Sequence, residues 1–229
     1  PIESLYPMKM EELGQNVGYL LYRTQAEWDA DTERVRVIDG RDRMQLFVDG
    51  NFITTQYQTE IGEDIFISQQ KRSIHRLDIL MENMGRVNYG HKLLAESQHK
   101  GIRTGVCKDL HFMLHWNQYP LEFKNPEAID FTKEWHEDQP AFYAFDVELK
   151  ALKDTYLDLT HFGKGVVFVN GVNIGRFWDV GPTLSLYIPH GLLRIGNNRI
   201  IIFETEGKYS KFIDLVHKPT FKPIKGDKL

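Results

Sequence analysis

The dipeptide Asn170-Gly171 constrains this sequence most, because it stands between two apolar runs and supplies two consecutive positions that tolerate positive φ. Val166, Val167, Phe168 and Val169 precede it and residues 172–177 resume the apolar character, so the pair reads as a type I′ turn closing a β-hairpin. Leu184, Leu186 and Ile188 then alternate with Ser185 and Tyr187, the pattern of a strand with one buried face. Gly181-Pro182, Pro189 and Gly196-Asn197-Asn198 are turn chemistry separating the strands. Ile200, Ile201, Ile202 and Phe203 run without alternation, which predicts a strand covered on both faces.

Earlier in the chain the same grammar repeats. Pro7 ahead of MKMEEL and then Gly14 predicts a short helical turn in the lead-in. Residues 18–25, 32–38 and 44–48 are strand-like, divided by Asp39-Gly40-Arg41-Asp42 and followed by the hairpin signal Asp49-Gly50-Asn51. Residues 61–67 and 73–81 follow at the spacing of an all-β sandwich, with no convincing long helix. An ungapped internal comparison superposes Val48-Asp49-Gly50 on Val169-Asn170-Gly171, an offset of 169 − 48 = 121. Tyr22 then falls on Tyr143, Phe47 on Phe168, Ile53 on Ile174 and Ile79 on Ile200. These matches predict a tandem of two related β-sandwiches, a first domain over residues 1–118 and a second over 119–229. The connection is expected between Trp116 and Asp138, where Pro120 and Pro126 interrupt any periodicity.

Composition excludes several classes of function. A chain of 229 residues with 41% hydrophobic content can bury a core, and a net charge of −4 leaves no dense basic surface for nucleic acid. The basic residues 218–228 read as a solvated tail. Cys107 is the only cysteine, so no intrachain disulfide can form, and a small buried hydrophobe is its expected role. No apolar run reaches the roughly 18 residues of a membrane-spanning helix, so no membrane contact is expected. The chain begins at Pro1 with no signal-like segment, as expected of a fragment or a processed product.

Neither catalytic residues nor a metal or other cofactor is expected. His111 and His115 are four apart, but no glutamate follows the first, so the zinc-protease pattern fails. Phe112, Leu114 and Trp116 alternate as in a strand, which would turn His111, Met113 and His115 to the opposite face. The acidic stretch Glu134, Glu137 and Asp138 reads as a solvated loop. Gly171 to Gly175 lies in a hairpin and lacks the lysine and helix of a phosphate loop. A Ser-His-Asp set cannot be selected without spatial information.

The segments KGVVFVNGVNIGRFW, GPTLSLYIP and NNRIIIFE resemble the last β-domain of bacterial β-galactosidases of glycoside hydrolase family 35. ESLYPMKMEELGQNVGYLLYRT and LDILMENMGRVNYG resemble the β-domain that precedes it. The resemblance implies two tandem jelly-roll, galactose-binding-domain-like sandwiches with little helix. It also implies a parent enzyme that cleaves terminal β-galactosides with retention, through two carboxyl groups on a separate (β/α)₈ barrel. The chain itself would be a non-catalytic C-terminal half, partnered by that barrel, touching galactoside substrate only indirectly and possible as a homo-dimer. A cytoplasmic or cell-surface setting suits it equally.

Two stretches carry the candidate contacts. In the loop over residues 82–90, Arg86, Asn88 and Tyr89 combine planar donors and acceptors with an aromatic face, the set a sugar needs, and the resemblance lets Tyr89 reach the outer side of the barrel's site. The same residues also suit a tight structural loop at a domain junction. Arg176, Phe177 and Trp178 read as anchors in a domain interface, although a tryptophan near a turn also suits stacking on a sugar. The alternative function is an autonomous pair of carbohydrate-binding modules, which requires an exposed aromatic platform.

Overall fold

The computed structural model describes residues 1–68, 73–133 and 135–223. The chain forms two units, Pro1–Phe123 and Lys124–Leu229.

In the first unit β1 (Ile2–Ser4), β10 (Trp116–Leu121), β2 (Tyr19–Trp28), β7 (Ser73–Glu82), β4 (Arg43–Val48) and β5 (Asn51–Tyr57) form one sheet in that spatial order. The facing sheet runs β6 (Ile65–Ser68), β3 (Thr32–Arg41), β8 (Gly101–Lys108), β9 (His111–Phe112). Tyr22, Leu46 and Ile79 from the first sheet and Val37, Ile102 and Val106 from the second share one buried core. That is the cross-section of a β-sandwich.

The second unit repeats the plan with fewer strands. β11 (Ala141–Leu149), β16 (Gly196–Glu204), β13 (Lys164–Val169) and β14 (Val172–Trp178) make the larger sheet, and β15 (Ser185–Ile188), β12 (Thr155–Asp158) and β17 (Asp214–Val216) the smaller. Strand β16 lies between β11 and β13, and Ile200, Ile201 and Ile202 are fully buried, as the run without alternation predicts. Each such side chain contributes roughly 1.5–3 kcal/mol relative to exposure. Among the described residues helix is confined to single 3₁₀ turns at Glu96–Gln98, Pro126–Ala128 and His190–Leu192. The lead-in expected to be helical is a set of turns instead, with Leu13 N–H reaching Lys9 O at 3.3 Å and Gln15 N–H reaching Met10 O at 2.8 Å.

Register makes the internal repeat concrete. Tyr22 pairs with Ile79 and Ile79 with Leu46 across three strands of the first unit; Tyr143, Ile202 and Val167 form the same row in the second. Both hairpins turn on consecutive positive φ values, 51° and 84° at Asp49 and Gly50, 48° and 84° at Asn170 and Gly171. Both also slip by one residue just before the turn, between Leu46 and Phe47 and between Val167 and Phe168. The extra residues are Ile53 and Ile174, and each packs against its own core. Ile79, however, corresponds to Ile202 rather than Ile200. The return strand is offset by 202 − 79 = 123, because the second unit carries two more residues between hairpin and return strand, which an ungapped comparison cannot represent.

Two further expectations change. A division after residue 118 would cut β10, whose hydrogen bonds to β1 and β2 place residues 116–121 in the first unit. The alternation expected at 111–116 breaks at His115, which has φ of 61°, so Met113 and Trp116 are both buried while His111 and Phe112 are exposed.

Candidate functional site

The loop at residues 82–90 grows from the end of β7, and its first half is tied down from two sides. Glu82 is buried with Arg43, whose Nη1 lies 3.2 Å from its carboxylate. Asp42 accepts both from Lys100 Nζ, at 2.7 Å to each oxygen, and from the Met84 N–H at 2.8 Å. On the other side Asn83 donates to Asn16 O at 2.9 Å and accepts the Gly85 N–H at 3.0 Å. Gly85 has φ of 144°, a conformation that a Cβ disfavours, and it lets the chain turn outward here.

Arg86 spends its guanidinium on the unit itself. Its Nε donates to Asn16 O at 3.1 Å and its Nη1 pairs with Glu11, whose carboxylate also accepts the Lys100 N–H at 3.0 and 3.1 Å. Beyond this clamp Asn88 is exposed and Tyr89 is 85% exposed. Arg86 and Val87 rim an open cleft of about 650 Å³ whose other walls include Arg41, Asp42, Tyr57 and Lys100. Asn88 and Tyr89 do not line it. The sequence therefore grouped three neighbours that the fold separates into an anchor and an exposed tip. Lys100 and Asp42, which set the anchor, went unnoticed because they are 58 residues apart.

The stretch at 176–178 also divides. Phe177 is buried in the core of its own unit, 6.2 Å from Phe162 between ring centroids, and so is no interface anchor. Trp178 carries the Lys164 ammonium 4.8 Å above its ring, and Arg176 is exposed on β14. Strand alternation turns Phe177 and Trp178 to opposite faces.

Buried acids elsewhere have structural partners. Glu33 accepts the N–H groups of Asp29 and Ala30 at 2.8 and 2.9 Å, and Asp78 is paired with Arg23 and Arg76. Glu204 gathers the N–H groups of Gly163, Lys164, Glu206 and Lys208, although burial still pushes its pKa up. With Asp42 and Glu82 these complete the buried carboxylates among the described residues. In the acidic stretch Glu137 and Asp138 are exposed, and Glu134 lies outside the described residues, as does the tail from residue 224 onward. Burial also pushes the Cys107 thiol up, away from nucleophilic duty.

Space does reveal one Ser-His-Asp arrangement. Ser73 Oγ lies 2.9 Å from His75 Nε2, and His75 Nδ1 lies 2.6 Å from Asp49 Oδ2. Burial pushes the Asp49 carboxyl up, but hydrogen bonds from His75 and from the Arg76 N–H outweigh it, and the net direction is down. The second unit explains the set without catalysis. Asn170 occupies the place of Asp49, and Asn198 and Gly196 pair with Val147 and Leu149 as His75 and Ser73 pair with Ala26 and Trp28. There Asn170 Nδ2 donates to Asn198 Oδ1 at 2.9 Å, with no hydroxyl at the third position. What the two corners share is a bond that locks the hairpin turn to the return strand.

Among the described residues, then, each unit is an antiparallel β-sandwich whose buried carboxylates are committed to internal hydrogen bonds and ion pairs. The protein-family model for the first all-beta domain of beta-galactosidase matches residues 7–122, and that for its galactose-binding domain matches residues 140–198. The chain belongs to the family 35 β-galactosidases. It is 34% identical to beta-galactosidase 1 of Dictyostelium discoideum, over 87% of this chain and 32% of that protein. It is 31% identical to beta-galactosidase 17 of Arabidopsis thaliana, over 91% and 34%, and 33% identical to the beta-galactosidase of Xanthomonas manihotis, over 85% and 32%. The chain thus spans about a third of the length of these relatives, and the resemblance is not confined to bacterial enzymes. Among the described residues no helix is long and apolar enough to cross a membrane.

Proposed function

We propose that this chain is the non-catalytic half of a β-galactosidase, working beside a (β/α)₈ barrel on the same polypeptide that hydrolyses terminal β-galactosides with retention. Its sandwiches buttress the barrel, and the tip of the loop at 82–90 shapes the outer part of the barrel's site. The observation that carries this reading is the contrast within that loop. Residues 82–86 are clamped by Asp42, Lys100, Glu11 and Asn16, while Tyr89 stands 85% exposed on that fixed base. Pre-organised aromatic tips of this kind recognise ligand at small entropic cost.

The relatives' names and the shared third of their length support the enzyme class. The commitment of the buried acids supports placing the chemistry elsewhere. In the full-length enzyme, Tyr89→Ala is expected to lower kcat/KM for lactose by about tenfold, roughly 1.4 kcal/mol, while the fold is retained. Unchanged kinetics for both lactose and nitrophenyl-β-galactoside would remove Tyr89 from the site.

A further inference from the structure

Charge is unevenly balanced around the open cleft of about 650 Å³ in the first unit, a volume within the roughly 300–1,000 Å³ of small-ligand sites. Three cations, Arg41, Arg86 and Lys100, and one acid, Asp42, line its walls. Two of the cations are already paired. Lys100 Nζ lies 2.7 Å from each oxygen of Asp42, and the Arg86 guanidinium is divided between Glu11 and Asn16 O. Acids close in sequence to the other walls are engaged as well. Glu60 accepts the Tyr57 N–H at 2.8 Å, and Glu96 pairs with Lys9.

Arg41 is the cation left over. It is half-buried, it makes no hydrogen bond or ion pair among the described residues, and its Nε is shut away from water without an acceptor. A charged donor in that position is costly until an acceptor reaches it. Arg41 is the last residue of β3, and its backbone pairs with Gly101 of β8, so the sheet fixes the base of the side chain at the cleft wall.

A guanidinium presents its N–H groups as a planar fork that matches two oxygens of a carboxylate or sulfate. Gln58, Thr59 and Gln98 line the same cleft and supply neutral donors and acceptors. We propose that this cleft is an oxyanion site in which Arg41 holds a carboxylate or sulfate. The anion is either bare or carried on a sugar ring whose hydroxyls meet the neutral side chains. The site is separate from the exposed tip of the loop at 82–90, because Asn88 and Tyr89 do not line it.

Calorimetric titration of the 229-residue chain with galacturonate, galactose, acetate and inorganic sulfate tests this. Galacturonate and galactose differ at C6, where one carries a carboxylate and the other a neutral alcohol. Saturable heat with a dissociation constant on the order of 1 mM is expected for galacturonate, and at least tenfold weaker binding, about 1.4 kcal/mol, for galactose. Galacturonate binding tighter than acetate and sulfate assigns the site to an acidic sugar, and equal binding assigns it to the bare anion. Raising salt to about 0.5 M should weaken either several-fold. Arg41→Ala should abolish the heat and Arg41→Lys should weaken it, while Tyr89→Ala should change nothing. If Arg41→Ala fails to fold, Arg41→Gln decides instead. No saturable heat with any anion, galactose binding as tightly as galacturonate, or anion binding that survives loss of the Arg41 guanidinium would overturn the proposal. None of these results bears on Tyr89, whose role is read from the kinetics of the full-length enzyme.

Discussion

The hairpin corners at Asp49-Gly50 and Asn170-Gly171 solve one backbone problem with different chemistry. Both place the turn N–H on the carbonyl of an arginine of the return strand, Asp49 on Arg76 at 2.9 Å and Asn170 on Arg199 at 2.8 Å. Both side chains then accept that arginine's N–H, at 2.8 and 2.9 Å. They part at the remaining side-chain atom. Asp49 meets His75, whereas Asn170 donates to Asn198 and to Leu192 O. The turn and its bulge are thus common to both units, and any donor and acceptor pair that closes the corner suffices. One corner is ionisable and the other neutral.

That contrast can be broken most forcefully in the strand entering the second corner. Gly165 stands where the first unit has the fully buried Met44, but a Cβ on Gly165 would lie 1.8 Å from Phe203 O. Gly165→Ala is expected to destabilise the second unit by more than about 3 kcal/mol, read by denaturant unfolding. Next comes Asn170→Asp, which points a carboxylate at the Leu192 carbonyl and at Asn198 Oδ1, two acceptors. A loss of about 2–3 kcal/mol at pH 7 is expected, recovering as acid protonates the new group.

The reverse exchange should be gentle. Asp49→Asn keeps the bond to the Arg76 N–H, and the native carboxylate is 46% exposed, so the loss at pH 7 is expected to be about 0.5–1 kcal/mol. Asp49 titrates lower in the folded state than its unfolded value of about 3.9, so its contribution is full above that value and fades as pH falls through the folded one. The stability difference between wild type and Asp49→Asn should therefore shrink below about pH 4. Adding His75→Asn rebuilds the second unit's corner in the first, and the double variant should come within about 0.5 kcal/mol of wild type at pH 7. A double variant worse than the sum of its parts would mean the corners are not equivalent.

How much of this was legible in the sequence depended on how local the cause was. Asn170-Gly171 and Asp49-Gly50 are turn chemistry readable in two residues, and burial of the Ile200 to Ile202 run follows from its lack of alternation. The offset of 121 held along β2, β4 and β5 and failed at Ile79, where two extra residues shift the return strand. Strand period alone separates Phe177 from Trp178, since neighbours on a strand face opposite sides. The clamp on the Tyr89 loop was beyond reach, since Lys100, Asp42 and Glu11 meet only through the sheets that carry them. The same holds for Ser73, His75 and Asp49, where three residues with catalytic connectivity prove to be one version of a corner whose other version has no hydroxyl.

On the proposed reading these sandwiches support and shape a galactosidase while breaking no glycosidic bond themselves. Incubating the purified chain with nitrophenyl-β-galactoside measures this directly. Nitrophenol release should match a control without protein, and turnover above that control, abolished by replacing an acid of this chain, would contradict the account.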